Sequence, residues 1–202
     1  MCCRSALSAK ATRTAAGVPA PSRRLLLGGF TCGLLGAFLA GSTMFVSIPA
    51  RAMNAVGRGT LRVWGFKVYD AELLATAPGP DLQDLDRLFA RPFALRIRYA
   101  REIQSRALID RTIDEMQALG AGTAEQHKAW TQALNSIFPT VREGDELVGQ
   151  HVPGLGARFQ FNGRPVGEVA DEAFSRAFFR IWLDPKTSAP GLRKALLGLA
   201  TP

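Results

Sequence analysis

Between Phe93 and Leu119 the apolar residues change period, and that change limits the fold more than any other feature of the chain. Phe93, Leu95, Ile97 and Tyr99 alternate with Ala94, Arg96, Arg98 and Ala100, the two-residue repeat of a strand with one buried face. From Ser105 to Leu119 the apolar set Leu108, Ile109, Ile113, Met116 and Leu119 follows one helical face, and Gly120 suits its close. Thr123-x-x-Gln126 has the form of a capping box and opens a second helix carrying Trp130, Leu134, Ile137 and Phe138 up to Pro139. Strand signals then return. Leu147–Val152, Ala157–Phe161 and Pro165–Val169 are separated by Pro153-Gly154 and Asn162-Gly163, the last pair tolerating the positive φ of a tight hairpin turn. Asp171 caps a helix through Ile181-Trp182-Leu183, and Pro190 starts a short one to Gly198. Upstream, Thr60–Ala75 reads as one or two strands with Gly65 as a bend, and Leu82–Phe89 as a short helix. Strands and helices fall in blocks, so the expected class is α+β and not a doubly wound parallel sheet.

The chain has 202 residues and a formal net charge of +8. That charge is unevenly placed. Arg4, Lys10, Arg13, Arg23, Arg24 and Arg51 lie in the first 52 positions, where no acid occurs, and the rest of the chain is close to neutral. The basic balance therefore argues for an address and not for nucleic acid as a partner. A basic start, an apolar stretch Leu25–Ile48 and the small-residue site Ala50-Arg51-Ala52 are the three parts of a secretory signal. Ser22-Arg23-Arg24 before the apolar run also resembles a twin-arginine signal. The expectation is a signal peptide over 1–52, cleaved near Ala52, and a periplasmic or secreted domain over 53–202. The alternative is an inner-membrane anchor formed by Leu25–Ile48. On the first reading the membrane is met only through the leader.

Cys2, Cys3 and Cys32 all fall inside the leader, which leaves the domain without thiol chemistry or disulfides. His127 and His151 stand alone, so each is read as a surface or packing residue and no metal or cofactor is expected. Ser105, Ser136 and Ser175 sit on helices without the sharp turn of a nucleophile. Arginines remain. Arg58, Arg62, Arg96, Arg98 and Arg101 lie on or beside the early strands, and Arg111 on the helix that follows. Most are expected to be solvated. One reaching beneath the helices would grip a carboxylate or phenolate with two aligned N–H donors.

The order of several motifs is specific. Gly65-Phe66-Lys67-Val68-Tyr69-Asp70-Ala71 is followed by Phe138-Pro139-Thr140-Val141-Arg142-Glu143-Gly144-Asp145. Pro153-Gly154-Leu155-Gly156-Ala157, Phe161-Asn162-Gly163-Arg164-Pro165-Val166-Gly167 and Arg180-Ile181-Trp182-Leu183-Asp184-Pro185 complete the series. From about Gly59 to Gly198 the chain resembles the bacterial chalcone isomerase-like family. The resemblance implies an open-faced β-sandwich, a long antiparallel sheet with helices packed on one side and a ligand cleft between them.

Plant isomerases of that family use an early Arg, a Thr on the next strand, a Tyr and an Asn around the first long helix, and a late Ser or Thr. Aligned here, the Arg is Arg58 or Arg62, the Thr position holds Tyr69, the Tyr position Gln104 and the Asn position Arg111. Ser175 alone keeps the late Ser/Thr. The resemblance therefore implies a noncatalytic binder of a fatty acid or similar amphiphilic anion, held by Arg62 or Arg58 with Tyr69 and Arg111. The alternatives are an intramolecular lyase acting on a chalcone-like enone, and an envelope interaction module whose cleft is simply core.

Overall fold

Two-residue alternation produces one six-stranded sheet in the computed structural model, which describes residues 53–76 and 84–199. The leader and its cleavage site lie outside the described residues, as do residues 77–83, which include the first two positions of the expected Leu82–Phe89 helix. The strands are β1 (Asn54–Val63), β2 (Phe66–Ala75), β3 (Phe93–Tyr99), β4 (Glu146–Val152), β5 (Gly156–Phe161) and β6 (Arg164–Val169). They pair in sequence order, each antiparallel to the next. The helices α1 (Leu85–Phe89), α2 (Ser105–Ala118), α3 (Ala124–Asn135), α4 (Glu172–Leu183) and α5 (Pro190–Leu196) interrupt or follow the strands. This is the α+β class expected from the blocks of sequence and the open antiparallel sheet that the family resemblance implies.

Helix starts are set locally. The Asp84 carboxylate accepts from the Asp86 and Arg87 amides to begin α1. Thr123 and Gln126 form the reciprocal box that opens α3, and Asp171 accepts from the Ala173 amide to open α4. Asp171 also receives the Trp130 indole N–H at 2.8 Å, which ties α3 to the head of α4. Gln104 precedes α2 without capping it by its side chain. The Ser105 hydroxyl instead donates to the Phe138 carbonyl at 2.6 Å and anchors α2 to the segment before β4.

The core lies between the sheet and α4. Leu73, Leu95 and Phe159 face Phe174, Phe178 and Phe179, all essentially sealed from solvent. Burying each such side chain stabilises the fold by roughly 1.5–3 kcal/mol. Gly149 leaves room on β4 for Phe178 and Phe179. At the sheet edge Gly57 lets α5 cross β1 so closely that an added Cβ would collide with the Ala195 and Leu196 carbonyls. Between these two packed regions the helix layer stands off the sheet.

Candidate functional site

A cavity of about 580 Å³ opens where α2 and α4 leave the ends of β1–β3. The volume is in the range of small-molecule sites. Its interior is apolar: Leu61 and Val68 from the first hairpin, Ile97 and Tyr99 from β3, Leu108 from α2, Phe178 and Ile181 from α4. Polar groups are few, and they comprise Arg62, Tyr69, Trp182 and a cluster of Arg111, Thr112, Glu115 and Ser188.

Tyr69 is the best-defined of these. The Trp182 indole N–H donates to its hydroxyl oxygen at 2.9 Å. An indole can only donate, so the phenol oxygen is the acceptor and its own proton stays available for a ligand. Burial pushes the Tyr69 pKa up to about 12, against the opposing Trp182 hydrogen bond. The group is therefore a neutral donor at any physiological pH. Tyr99 meets it edge to face, with ring centroids 6.1 Å apart, and burial raises its pKa as well.

A β-bulge separates Arg62 from Arg58. Strict alternation along β1 would send Arg58, Thr60 and Arg62 to one face. The register shifts between Leu61 and Arg62: Leu61 stands opposite Tyr69, and Arg62 opposite Lys67. The extra residue is Val68 on β2, which lines the cavity beside Tyr69 while Lys67 turns to Asp70 at 2.6 Å; Arg62, just past the bulge, lines the cavity together with Leu61. Arg62 donates to the Gly65 carbonyl at 3.2 Å and meets no carboxylate within ion-pair reach among the described residues. Asp70, whose pKa is held down chiefly by Lys67 and then by Thr60, is the nearby acid that feels its charge. Arg58 belongs to the other face of the sheet. There it pairs with Glu72 at 2.8 Å, and Glu72 also holds Arg96 at 2.7 Å.

The remaining candidates divide likewise. Arg111 lines the cavity, but its guanidinium is paired with Glu115, one turn along α2. Glu115 is 8% exposed and also accepts from the Ser188 hydroxyl at 2.8 Å. Gln104 does not line the cavity; it is exposed and its amide donates to Glu102 at 2.7 Å. Ser175 is fully buried in α4, 2.8 Å from His151 Nδ1, while His151 Nε2 reaches the Phe89 carbonyl at 2.9 Å. A carbonyl only accepts, so Nε2 carries the proton and Nδ1 accepts from Ser175. His151 is thus a packing residue, as its isolation in the sequence suggested. Arg62, Tyr69 and Arg111 share one cavity; Arg58, Gln104 and Ser175 do not reach it.

Two participants were not among the candidate site residues. Glu115 is visible only as spacing: Leu108, Arg111, Thr112 and Glu115 form a second stripe at i, i+3, i+4 and i+7 beside the core face of α2, while Trp182 stands within the Arg180–Pro185 motif with no sign there that its indole reaches Tyr69. Among the described residues no group of His, Cys, Asp and Glu side chains is placed to hold a metal ion. No helix among them is long and apolar enough to cross a membrane.

No curated protein matches the sequence. The fold is similar to the crystal structure of a fatty-acid binding protein from Arabidopsis thaliana, with a TM-score of 0.58 and 14% identity. That similarity covers 72% of this chain and 87% of the plant protein, and at this identity it is a likeness of fold. The family described as chalcone isomerase-like matches residues 46–198 of the 202, and the chain belongs to that family.

Proposed function

We propose that the protein is a noncatalytic binder of a fatty acid or similar amphiphilic anion. The observation that carries the reading is the pairing of an apolar cavity with a cation, Arg62, that forms no ion pair with a carboxylate among the described residues, beside one neutral donor, Tyr69. Arg62 supplies charge and Tyr69 a directed O–H for a carboxylate; the interior takes the tail. Arg111 has a different part. Its charge is already met by Glu115, so the pair fixes the wall of the cavity and Glu115 repels a second anion. The fatty-acid binding protein of similar fold supports the choice of ligand class.

Native mass spectrometry of protein recovered from cells should detect a bound amphiphile. Removing a charge-assisted hydrogen bond costs about 1.5–3 kcal/mol, so Arg62→Ala and Tyr69→Phe should each weaken binding by roughly 10- to 100-fold. An empty protein, or one whose occupant ignores both substitutions, would sink the reading. The isomerase alternative keeps one point in its favour, since the free Tyr69 proton is also suited to polarise an enone carbonyl. It requires that naringenin chalcone lose its absorbance faster with protein than without.

The leader completes the proposal. Residues 1–52 would direct export and be removed near Ala52, leaving the domain periplasmic or secreted. Intact-mass measurement of the cellular protein should give a start near Met53; retention of Leu25–Ile48 would instead support an anchor.

A further inference from the structure

The tip of the β1–β2 hairpin is built against the rules for a soluble surface. Its two-residue turn is Trp64-Gly65, with φ of +49° and +83°. Such turns favour Asn or Gly at the first position, and a bulky side chain there is strained. Trp64 is 94% exposed, and its neighbours Phe66 and Val63 are 70% and 44% exposed. Below them Arg62 and Lys67 stand directly opposite each other on paired strands; the Asp70 carboxylate, 2.6 Å from Lys67 Nζ, offsets one of the two charges and leaves the tip net positive. Strain, exposed aromatic surface and paired cations thus coincide within six residues. Val63 and Trp64 also line the cavity, so the apolar surface runs unbroken from the tip into the interior.

We infer that this tip docks on an anionic phospholipid bilayer, with Trp64 and Phe66 in the interface and Arg62 and Lys67 against lipid phosphates. Shape and size select this occupant. The tip is a narrow protrusion presenting three apolar side chains, far below the roughly 800 Å² per partner that a stable protein interface needs. A membrane interface needs no such area: a few amphipathic aromatic rings and flanking cations give reversible attachment. The contact lies beyond the leader, to which the sequence had confined membrane association. It does not depend on the ligand reading, because an empty cavity would leave the tip unchanged.

Trp64 reports on itself, since Trp130 and Trp182 are buried. Protein expressed from the full sequence and processed by the cell is mixed with vesicles of 70:30 POPC:POPG carrying brominated acyl chains. Emission should shift to the blue and be quenched, and Trp64 should gain protection from acrylamide. Trp64→Phe should lose most of the vesicle-dependent quenching, which separates the tip from a brominated chain entering the cavity beside Trp182. Lys67→Gln should weaken partitioning about fivefold on POPG-containing vesicles and leave it unchanged on pure POPC. Acrylamide access to Trp64 that is the same with and without vesicles overturns the inference. So does protection that needs no lipid and grows with protein concentration, which would place a second copy of the chain on the tip.

Discussion

Burial of a titratable residue makes stability depend on pH, and His151 is the clearest case in this molecule. Burial lowers its pKa from the ordinary 6.5, outweighing the Phe89 carbonyl, which raises it. Above the ordinary value neither the folded nor the unfolded chain is protonated there, and the contribution is complete. As pH falls through 6.5 the unfolded chain takes up a proton that the folded one refuses, so stability declines by up to about 1.4 kcal/mol per pH unit until the lowered folded pKa is reached. Urea unfolding at pH 7.5 and 5.5 should show this drop in the wild type and a smaller one in His151→Gln; equal drops would refute it. Ser175→Ala removes the donor to a buried ring nitrogen and should cost about 1–3 kcal/mol with ligand affinity unchanged. A loss of affinity at unchanged stability would instead make Ser175 part of the site. The sequence marked Ser175 by alignment with an isomerase position, and it had no means of seeing that this hydroxyl is already engaged by His151, 24 residues earlier. The same alignment marked Tyr69, at the family's Thr position, and there the hydroxyl receives only the Trp182 indole and keeps its own proton for the cavity.

At the level of elements, alternation and caps carry most of the information, and irregularities carry the site. Asn162-Gly163 announces its hairpin, with φ of +49° and +78°. Trp64-Gly65 makes a turn of the same kind, and only Gly65 hints at it, because Trp is the wrong residue for that geometry. Nor does the bulge at Val68 show in residue types, and beside it Arg62, unlike Arg58, lines the cavity. Both irregularities fall beside the cavity, where local rules are expected to yield to function. Trp64→Asn should therefore stabilise the fold by about 1 kcal/mol by relieving the strained turn, while abolishing attachment to vesicles. A thermal midpoint that stays level or falls would mean the Trp64 turn carries no strain. Gly57→Ala tests the opposite edge. Its Cβ would collide with the backbone of α5, so a loss of about 1–3 kcal/mol is expected, read as a lowered urea midpoint; a neutral effect would show that α5 is free to shift.

For the molecule as a whole, the fold narrows the possible activities without selecting one, and linkage between binding and unfolding can make the selection. A ligand that binds only the folded state adds RT ln(1 + [L]/Kd), about 2.7 kcal/mol at one hundred times Kd. For a domain of about 150 residues that corresponds to roughly 5–10 °C in Tm. The sequence left three readings open, and each predicts a different calorimetric pattern. A fatty-acid binder gains this shift from a long-chain carboxylate, loses it in Arg62→Ala and Tyr69→Phe, and loses it again when the carboxylate is replaced by its methyl ester. An enone isomerase responds to chalcone-like phenols and not to the saturated acid. An interaction module with a vacant cleft responds to neither, and Arg62→Ala leaves its Tm unchanged. The geometry favours the first pattern, because a guanidinium at the edge of apolar space, with no carboxylate partner among the described residues, is stabilised by an anion more than by any neutral occupant. An equal shift from acid and ester would remove Arg62 from the site while leaving the cavity as a binding space for neutral lipids.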